Sequence, residues 1–225
     1  IGTKGVYHWE NRSFRNAVID SLAMNINDLV MERANPYALV DHLMIPEDDE
    51  EAILDTISYL ADECKNRDIV ISGGETAIHD NMEGMEISIS MLGTVEKPKE
   101  NKMKRNDYII GLKSNGLHSN GFTKVRELFK ENRKEFTEPT SIYSEVLELN
   151  KKYDIHGMMH ITGGAFTKLK DILRNSDAII TNHLLEPQEI FYEMYDKGVD
   201  DKEMYKTFNC GVGFVMSLDG DDAEK

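Results

Sequence analysis

Residues 108 to 128 read YIIGLKSNGLHSNGFTKVREL, and the fold turns on how the middle of that stretch is taken. Asn-Gly is the strongest short-range hairpin signal, and it occurs twice, at Asn115-Gly116 and Asn120-Gly121. A hairpin needs a second alternating strand after its turn. Here Phe122, Val125, Leu128 and Phe129 follow at helical spacing instead. The stretch is therefore a strand, a glycine-rich loop and a helix. That arrangement points backbone N–H groups at the space above a helix N-terminus, where an anion can sit.

Three further glycine-rich turns surround it in sequence: IGTK at 1–4, SGGETA at 72–77 and TGGAF at 162–166. Glycine joins strands to helices for steric reasons often enough that one such turn carries little. Four of them, each with polar side chains, predict a shared polar cleft. Neither GxxxxGK(S/T) nor GxGxxG occurs, because GVGFVM has Met216 where the third glycine belongs. A Walker nucleotidase and a Rossmann dehydrogenase are excluded on that basis.

Upstream, residues 13–33 carry Val18, Leu22, Ile26, Leu29 and Val30 on one helical face, with Ser13 as N-cap. Residues 36–45 form an apolar strand. A second helix spans 47–68 with Ile53, Ile57, Leu60 and Cys64 inward; its acidic start and its Lys65 and Arg67 suit the helix dipole. Residues 68–72 read as a short buried strand running into Gly73, Gly74 and Glu75. From 85 to 92, Ile87, Ile89 and Met91 alternate with Glu86, Ser88 and Ser90, the pattern of a strand with one covered face. The charged, Pro98-containing stretch 96–107 lacks apolar periodicity and divides the chain into domains at 1–103 and 104–225. Downstream, helices are predicted at 139–154 and 187–198, and TGGAF leads into another. Strands are predicted at 177–184 and 207–218, and the glycines of the last, Gly211 and Gly213, imply a close approach to its backbone.

A net charge of −15 argues against nucleic acid and anionic membranes as partners. A phosphate ligand would be held by backbone amides, a few placed cations and a divalent metal. Cys64 and Cys210 show no CxxC spacing and read as two buried thiols in a reducing cytoplasm. No apolar run reaches the ~18 residues of a membrane helix. Both ends look cut inside structured elements, so a longer parent chain is expected.

Among candidate residues, Asn25 and Asp28 sit opposite the apolar stripe of their helix, as an ordinary solvated pair would. Glu75 follows two glycines at a strand end, where α/β sheets place ligands, and suits either a metal or phosphate role or a capping role. His118 is crowded by Asn115, Ser119 and Asn120, a setting for binding or catalysis as much as for a surface loop. His160 reads as a satisfied core histidine, and Cys210, with no base nearby, as a buried thiol rather than a nucleophile.

The segments IGTK, AMNINDLV, ISGGETA, SNGLHSNGFTKVREL, HITGGAF and EMYKTFNCGVGFV, in this order and spacing, resemble the aminoimidazole ribonucleotide synthetase family, also called phosphoribosylformylglycinamidine cyclo-ligase. Formylglycinamidine synthase, selenophosphate synthetase, thiamine-monophosphate kinase and a hydrogenase-maturation protein share the glycine turns and the helix carboxylate. LHSNGF, HITGG and TFNCGVG together point to the cyclo-ligase. The resemblance implies an α+β fold of two PurM-like domains, with an N-terminal mixed sheet that pairs in a homodimer barrel and a C-terminal α+β domain. It implies closure of formylglycinamidine ribonucleotide to aminoimidazole ribonucleotide with ATP and Mg2+, in the cytoplasm. The alternatives are another ATP-dependent phosphoryl transferase of the superfamily or a non-catalytic scaffold.

By the same resemblance Thr3, Lys4, Asp28, Gly73, Gly74 and Glu75 line the nucleotide side, with Asp28 as metal ligand. Gly116, His118, Ser119, Asn120, Thr162, Gly163 and Gly164 line the ribonucleotide side, and His118, Asn120 and Glu75 are the candidate catalytic groups. Two departures stand out. An N-terminal arm with a further aspartate, and a C-terminal end, lie outside the sequence. Ile78, His79, Asp80 and Asn81 replace the Glu-Met-Pro-Gly of bacterial members, which suits a divergent lineage.

Overall fold

A computed structural model describes residues 1–225 except 174 and 181–184. Two three-stranded sheets fall on either side of the polar stretch 96–107. The first contains β1 (Asn35–Ile45), β2 (Val70–Ile78) and β3 (Glu86–Thr94) in the order β2-β1-β3. β2 runs parallel to β1 and β3 antiparallel, so this sheet is mixed. The second contains β4 (Tyr108–Lys113), β5 (Gly157–His160) and β6 (Val212–Leu218) in the order β4-β6-β5, with both pairings antiparallel.

Helix α1 (Lys4–Glu10) follows the IGTK turn, in which Gly2 has φ +57°. It leads into α2 (Phe14–Met31), the element that joins the halves of the molecule. Along α2, Val18, Leu22, Ile26 and Val30 pack with Leu39, Leu43 and Ile87 of the first sheet. The same core takes in Met158, Phe214 and Met216 of the second sheet. Covered on two sides, α2 buries polar groups as well as apolar ones: Asp20, Ser21 and Asn27 are all inside. Ser13 stands at the N-cap position but makes no side-chain cap bond; its hydroxyl instead meets His8 Nδ1 at 2.8 Å.

Helix α3 (Glu50–Lys65) is capped by Asp49, whose carboxylate accepts the Ala52 amide at 2.9 Å. It buries Ala52, Thr56, Leu60, Glu63 and Cys64; Ile57, expected inward, is 45% exposed because the helix lies about one position rotated from the apolar reading. β3 covers one face as its alternation requires, with Ile87 buried and Ser88 and Ser90 exposed.

The strand expected as buried at 68–72 is instead an edge strand. Val70 is 61% exposed, and pairing with β1 carries β2 straight through Gly73, Gly74 and Glu75. SGGETA is therefore strand interior, because the β1 ladder provides partners that a local reading does not contain.

In the second half, the loop after β4 enters α4 (Phe122–Leu128), confirming strand, loop and helix. α4 stops early, and residues 134–137 form a separate 3-10 turn. The helix expected over 139–154 shortens to α5 (Glu145–Lys152), and TGGAF opens a 3-10 helix, Ala165–Asp171. Residues 177–180 carry no strand, and the rest of the strand expected to 184 lies outside the described residues. α6 (Glu189–Asp196) ends before Gly198 at φ +95°. An unforeseen α7 (Asp201–Thr207) ends on the first residue of the last predicted strand, which begins only at Val212 after the turn at 208–211, and α8 (Gly220–Ala223) follows it. Stretch 96–107 lies along β5, where the Asn101 side chain bonds both backbone groups of Met158, at 2.7 and 2.9 Å.

Candidate functional site

The loop 114–121 is built from the inside. Gly116 at φ +145° and Gly121 at φ +74° adopt conformations that L side chains rarely take, and a Cβ on Gly121 would lie 2.2 Å from the Phe208 ring. Between them His118 holds φ +58° and is buried. Such a conformation in a non-glycine residue persists only where its surroundings determine it. The determinant here is a buried ion cluster that local sequence reading missed.

Asp20, fully buried on α2, receives Lys4 Nζ at 2.7 Å and His8 Nε2 at 2.8 Å on one carboxylate oxygen. On the other it accepts Ser119 Oγ at 2.8 Å, and the Thr140 amide and hydroxyl, each at 2.7 Å. Lys4 Nζ also donates to the His118 carbonyl at 2.8 Å and the Glu138 carbonyl at 2.5 Å, so its three protons are all engaged. Burial pushes the Asp20 carboxyl up, but the Lys4 ammonium and the His8 bond outweigh it and hold the group well below the ordinary carboxylate range. The signal in the sequence was a carboxylate three residues from Ala17 and Ala23, on the buried side of a helix.

His118 is enclosed by β6 and by the stretch after residue 139. A Cβ on Gly213 would fall 2.6 Å from its Cε1 and 1.9 Å from the Tyr143 hydroxyl, the close approach predicted for that glycine. The Ser141 amide points at His118 Nε2 from 3.5 Å, which leaves the proton on Nδ1, a buried atom without a hydrogen-bond partner. Burial above all, with help from the Lys4 ammonium, pushes the imidazole down to about 3. It is neutral at pH 7.

The neighbouring turn joins the loop through Asn120. Its amide donates to Thr162 Oγ1 at 2.9 Å, and the Thr162 hydroxyl reaches Asn120 Oδ1 at 3.1 Å. Gly163 stands beside that pair and Gly164, at φ +84°, ends the turn. Thr3 Oγ1 lies 3.3 Å from Thr123 Oγ1 at the start of α4. Three of the four glycine turns thus meet at one place. The fourth does not join them by any hydrogen bond among the described residues: Gly73, Gly74 and Glu75 are exposed on β2, beside Val40, Asp41 and His42.

Asp28 projects from α2 with its side chain 56% exposed, and its Oδ1 lies 3.3 Å from His160 Nδ1. The far nitrogen of His160 meets Asn27 Nδ2 at 3.2 Å, so His160 is a satisfied, buried histidine that orients an exposed carboxylate. Cys210 is also as expected, with burial pushing its thiol up to about 12. Among the described residues no three His, Cys, Asp or Glu side chains gather to hold a metal. A hard cation that also binds phosphate oxygens and water needs only one or two carboxylates, which Asp28 can supply.

The chain matches the family models described as AIR synthase related protein, N-terminal domain, over residues 6–95 and C-terminal domain over 104–225. It is 36% identical over 226 residues to a phosphoribosylformylglycinamidine cyclo-ligase of Saccharolobus solfataricus, covering 96% of this chain and 68% of that one. With the enzyme of the same name from Clostridium novyi it shares 34% over 245 residues, covering 100% and 73%. Solved structures share the fold: hydrogenase maturation protein HypE in complex with ATP, at TM-score 0.63 and 15% identity over 92% of this chain and 64% of that one, and a thiamine-monophosphate kinase from Stenotrophomonas maltophilia, at 0.63 and 17% over 94% and 70%.

Proposed function

Because the chain belongs to the AIR synthase related protein family in both its N-terminal and its C-terminal parts, we propose that it closes formylglycinamidine ribonucleotide to 5-aminoimidazole ribonucleotide at the expense of ATP. It is a ligase of purine biosynthesis. The observation that carries this is the alignment of cyclo-ligases at 34–36% identity along 96–100% of the chain. In the reaction the formyl oxygen attacks the γ-phosphorus and ADP leaves; the amidine-side nitrogen then attacks the activated carbon and phosphate leaves. The protein's task is to align two anionic substrates and balance charge on the transferred group.

The exposed Asp28 carboxylate is our candidate for Mg2+, which supplies charge neutralisation at the phosphates when bound. Thr3, Gly73, Gly74 and Glu75 are assigned with it to the nucleotide side. Gly116, His118, Ser119, Asn120, Thr162, Gly163 and Gly164 are assigned to the ribonucleotide side. The neutral His118 ring, whose Nδ1 lacks a hydrogen-bond partner in the protein, and Asn120 are our candidate catalytic groups on that side. We further propose a cytoplasmic homodimer. Its support is the sheet face turned away from α2 and α3, where Val40, Val70 and Leu92 are exposed.

The test is ADP release by the full-length enzyme on addition of formylglycinamidine ribonucleotide. Release elicited only by another acceptor points to a sister phosphoryl transferase, and none at all to a scaffold. Asp28→Asn is expected to lower kcat at least ~100-fold through loss of the metal's charge neutralisation. Leu92→Asp is expected to turn a dimer in sedimentation into a monomer, and a wild type that sediments as a monomer removes the dimer.

A further inference from the structure

The family resemblance puts Lys4 on the nucleotide side. The geometry points elsewhere: we infer that Lys4, Asp20 and Thr140 form a buried latch that positions the His118 loop for the ribonucleotide, and that Lys4 is a positioning residue rather than a phosphate ligand. The inference rests on the cyclo-ligase reading for the identity of the substrate.

Each contact bears on the loop. Lys4 Nζ holds the carbonyl of His118 itself, and Asp20 holds the hydroxyl of Ser119, the next residue. Thr140 brings the second wall, since its amide and hydroxyl both bond the Asp20 oxygen that Ser119 uses, and Thr140 Oγ1 lies 2.9 Å from Ser119 Oγ. One residue on, Ser141 aims its amide at His118 Nε2. The left-handed backbone at His118, its ring position and the orientation of Nδ1 thus depend on one carboxylate carried by α2. The Lys4 and Asp20 side chains are fully inaccessible. An ammonium whose protons are all bonded to protein oxygens has none to offer a phosphate. His8 completes the cluster, held on its other nitrogen by Ser13. The ion pair joins α1 and α2 to a loop about a hundred residues further along the chain, so the latch ties α1 to the substrate side of the site.

Thr140→Val in the full-length enzyme is the decisive variant, because it removes one hydroxyl at constant shape and leaves the Lys4–Asp20 charges paired. We expect the KM for formylglycinamidine ribonucleotide to rise about tenfold, as loss of a hydrogen bond to a charged group implies. The KM for ATP should stay within about twofold and Thr140→Ser should restore the wild-type value. Amide exchange in peptides covering 114–122 should quicken while that in β1 does not. Lys4→Met should show the same split more strongly, provided the uncompensated Asp20 leaves a folded protein. A rise in the KM for ATP in either variant, or unchanged ribonucleotide KM with unchanged loop exchange, overturns the latch. Inactivity of the wild type on this substrate removes the cyclo-ligase reading instead, and the exchange measurement, which needs no substrate, still decides for or against the latch.

Discussion

SGGETA and GLKSNGLHSNGF look alike on paper: each follows an apolar run with paired polar residues and glycines. In the fold they are opposites. The first is an exposed edge strand in which Gly73 has open space around its Cβ position; the second is a loop that buries Ser114, Leu117 and His118 and holds two glycines and a histidine in the left-handed region. Glycine permits both outcomes, and the difference comes from what arrives from elsewhere in the chain. A neighbouring strand, β1, recruits SGGETA into a ladder. A buried carboxylate on α2 gathers the second segment into a loop. The contrast can be tested by removing the partner in one region and adding bulk in both.

The largest effect is expected from Asp20→Asn, which leaves the buried Lys4 ammonium without its counter-charge. Breaking a buried pair from one side costs about 3–5 kcal/mol, so urea denaturation should show a loss of that order. A loss within ~0.5 kcal/mol, the size of an ordinary surface change, would mean that the loop holds its shape unaided.

The next is Gly213→Ala. Its methyl would be placed 1.9 Å from the Tyr143 hydroxyl, which itself donates to the Lys113 carbonyl at 2.9 Å, so the ring cannot retreat without losing that bond. About 3 kcal/mol, the upper part of the range for overpacking, is expected in thermal or urea unfolding.

How much of this could be read in advance follows the same division. β3 was legible because Ile87, Ile89 and Met91 alternate against serines, and α2 because its apolar stripe is long. The strand-loop-helix around His118 was legible because a helical period follows the second Asn-Gly. What could not be read is whatever depends on distant partners. Asp20 looks like any helix carboxylate until α1, residue 119 and residue 140 converge on it. Nothing local tells β2 that its glycines will be paired through. Asp28 and Asn27, adjacent in sequence, divide by which surface of α2 they occupy: Asn27 is locked to the Ser141 carbonyl at 2.9 Å, while Asp28 reaches solvent.

Acid sharpens the contrast by a smaller amount. His118 falls to about 3 when folded, against an ordinary 6.5. As pH drops below 6.5 the unfolded chain takes up this proton and the folded chain does not, so its contribution is complete above 6.5 and lost on acidification. The loss runs at about 1.4 kcal/mol per pH unit, or about 2 kcal/mol by pH 5. Urea denaturation at pH 7 and pH 5 should show wild type losing that much more than His118→Gln. Equal losses would mean that the imidazole is accessible to protons in the folded loop.

The smallest effect is the most informative about the exposed region. Gly73 has no atom within 4 Å of an added Cβ and no left-handed backbone, so Gly73→Ala should change stability by no more than ~0.5 kcal/mol in dilute solution. Its neighbour differs, since a Cβ on Gly74 would lie 2.4 Å from Asp41 Oδ1, and Gly74→Ala must displace a carboxylate that burial already pushes up. If Gly73→Ala is neutral at every protein concentration, no second copy fills the space at Gly73. If it is neutral when dilute and destabilising when concentrated, the open space at Gly73 is filled by a partner. Both glycine segments would then be shaped by distant contacts, one from within the chain and one from another copy of it.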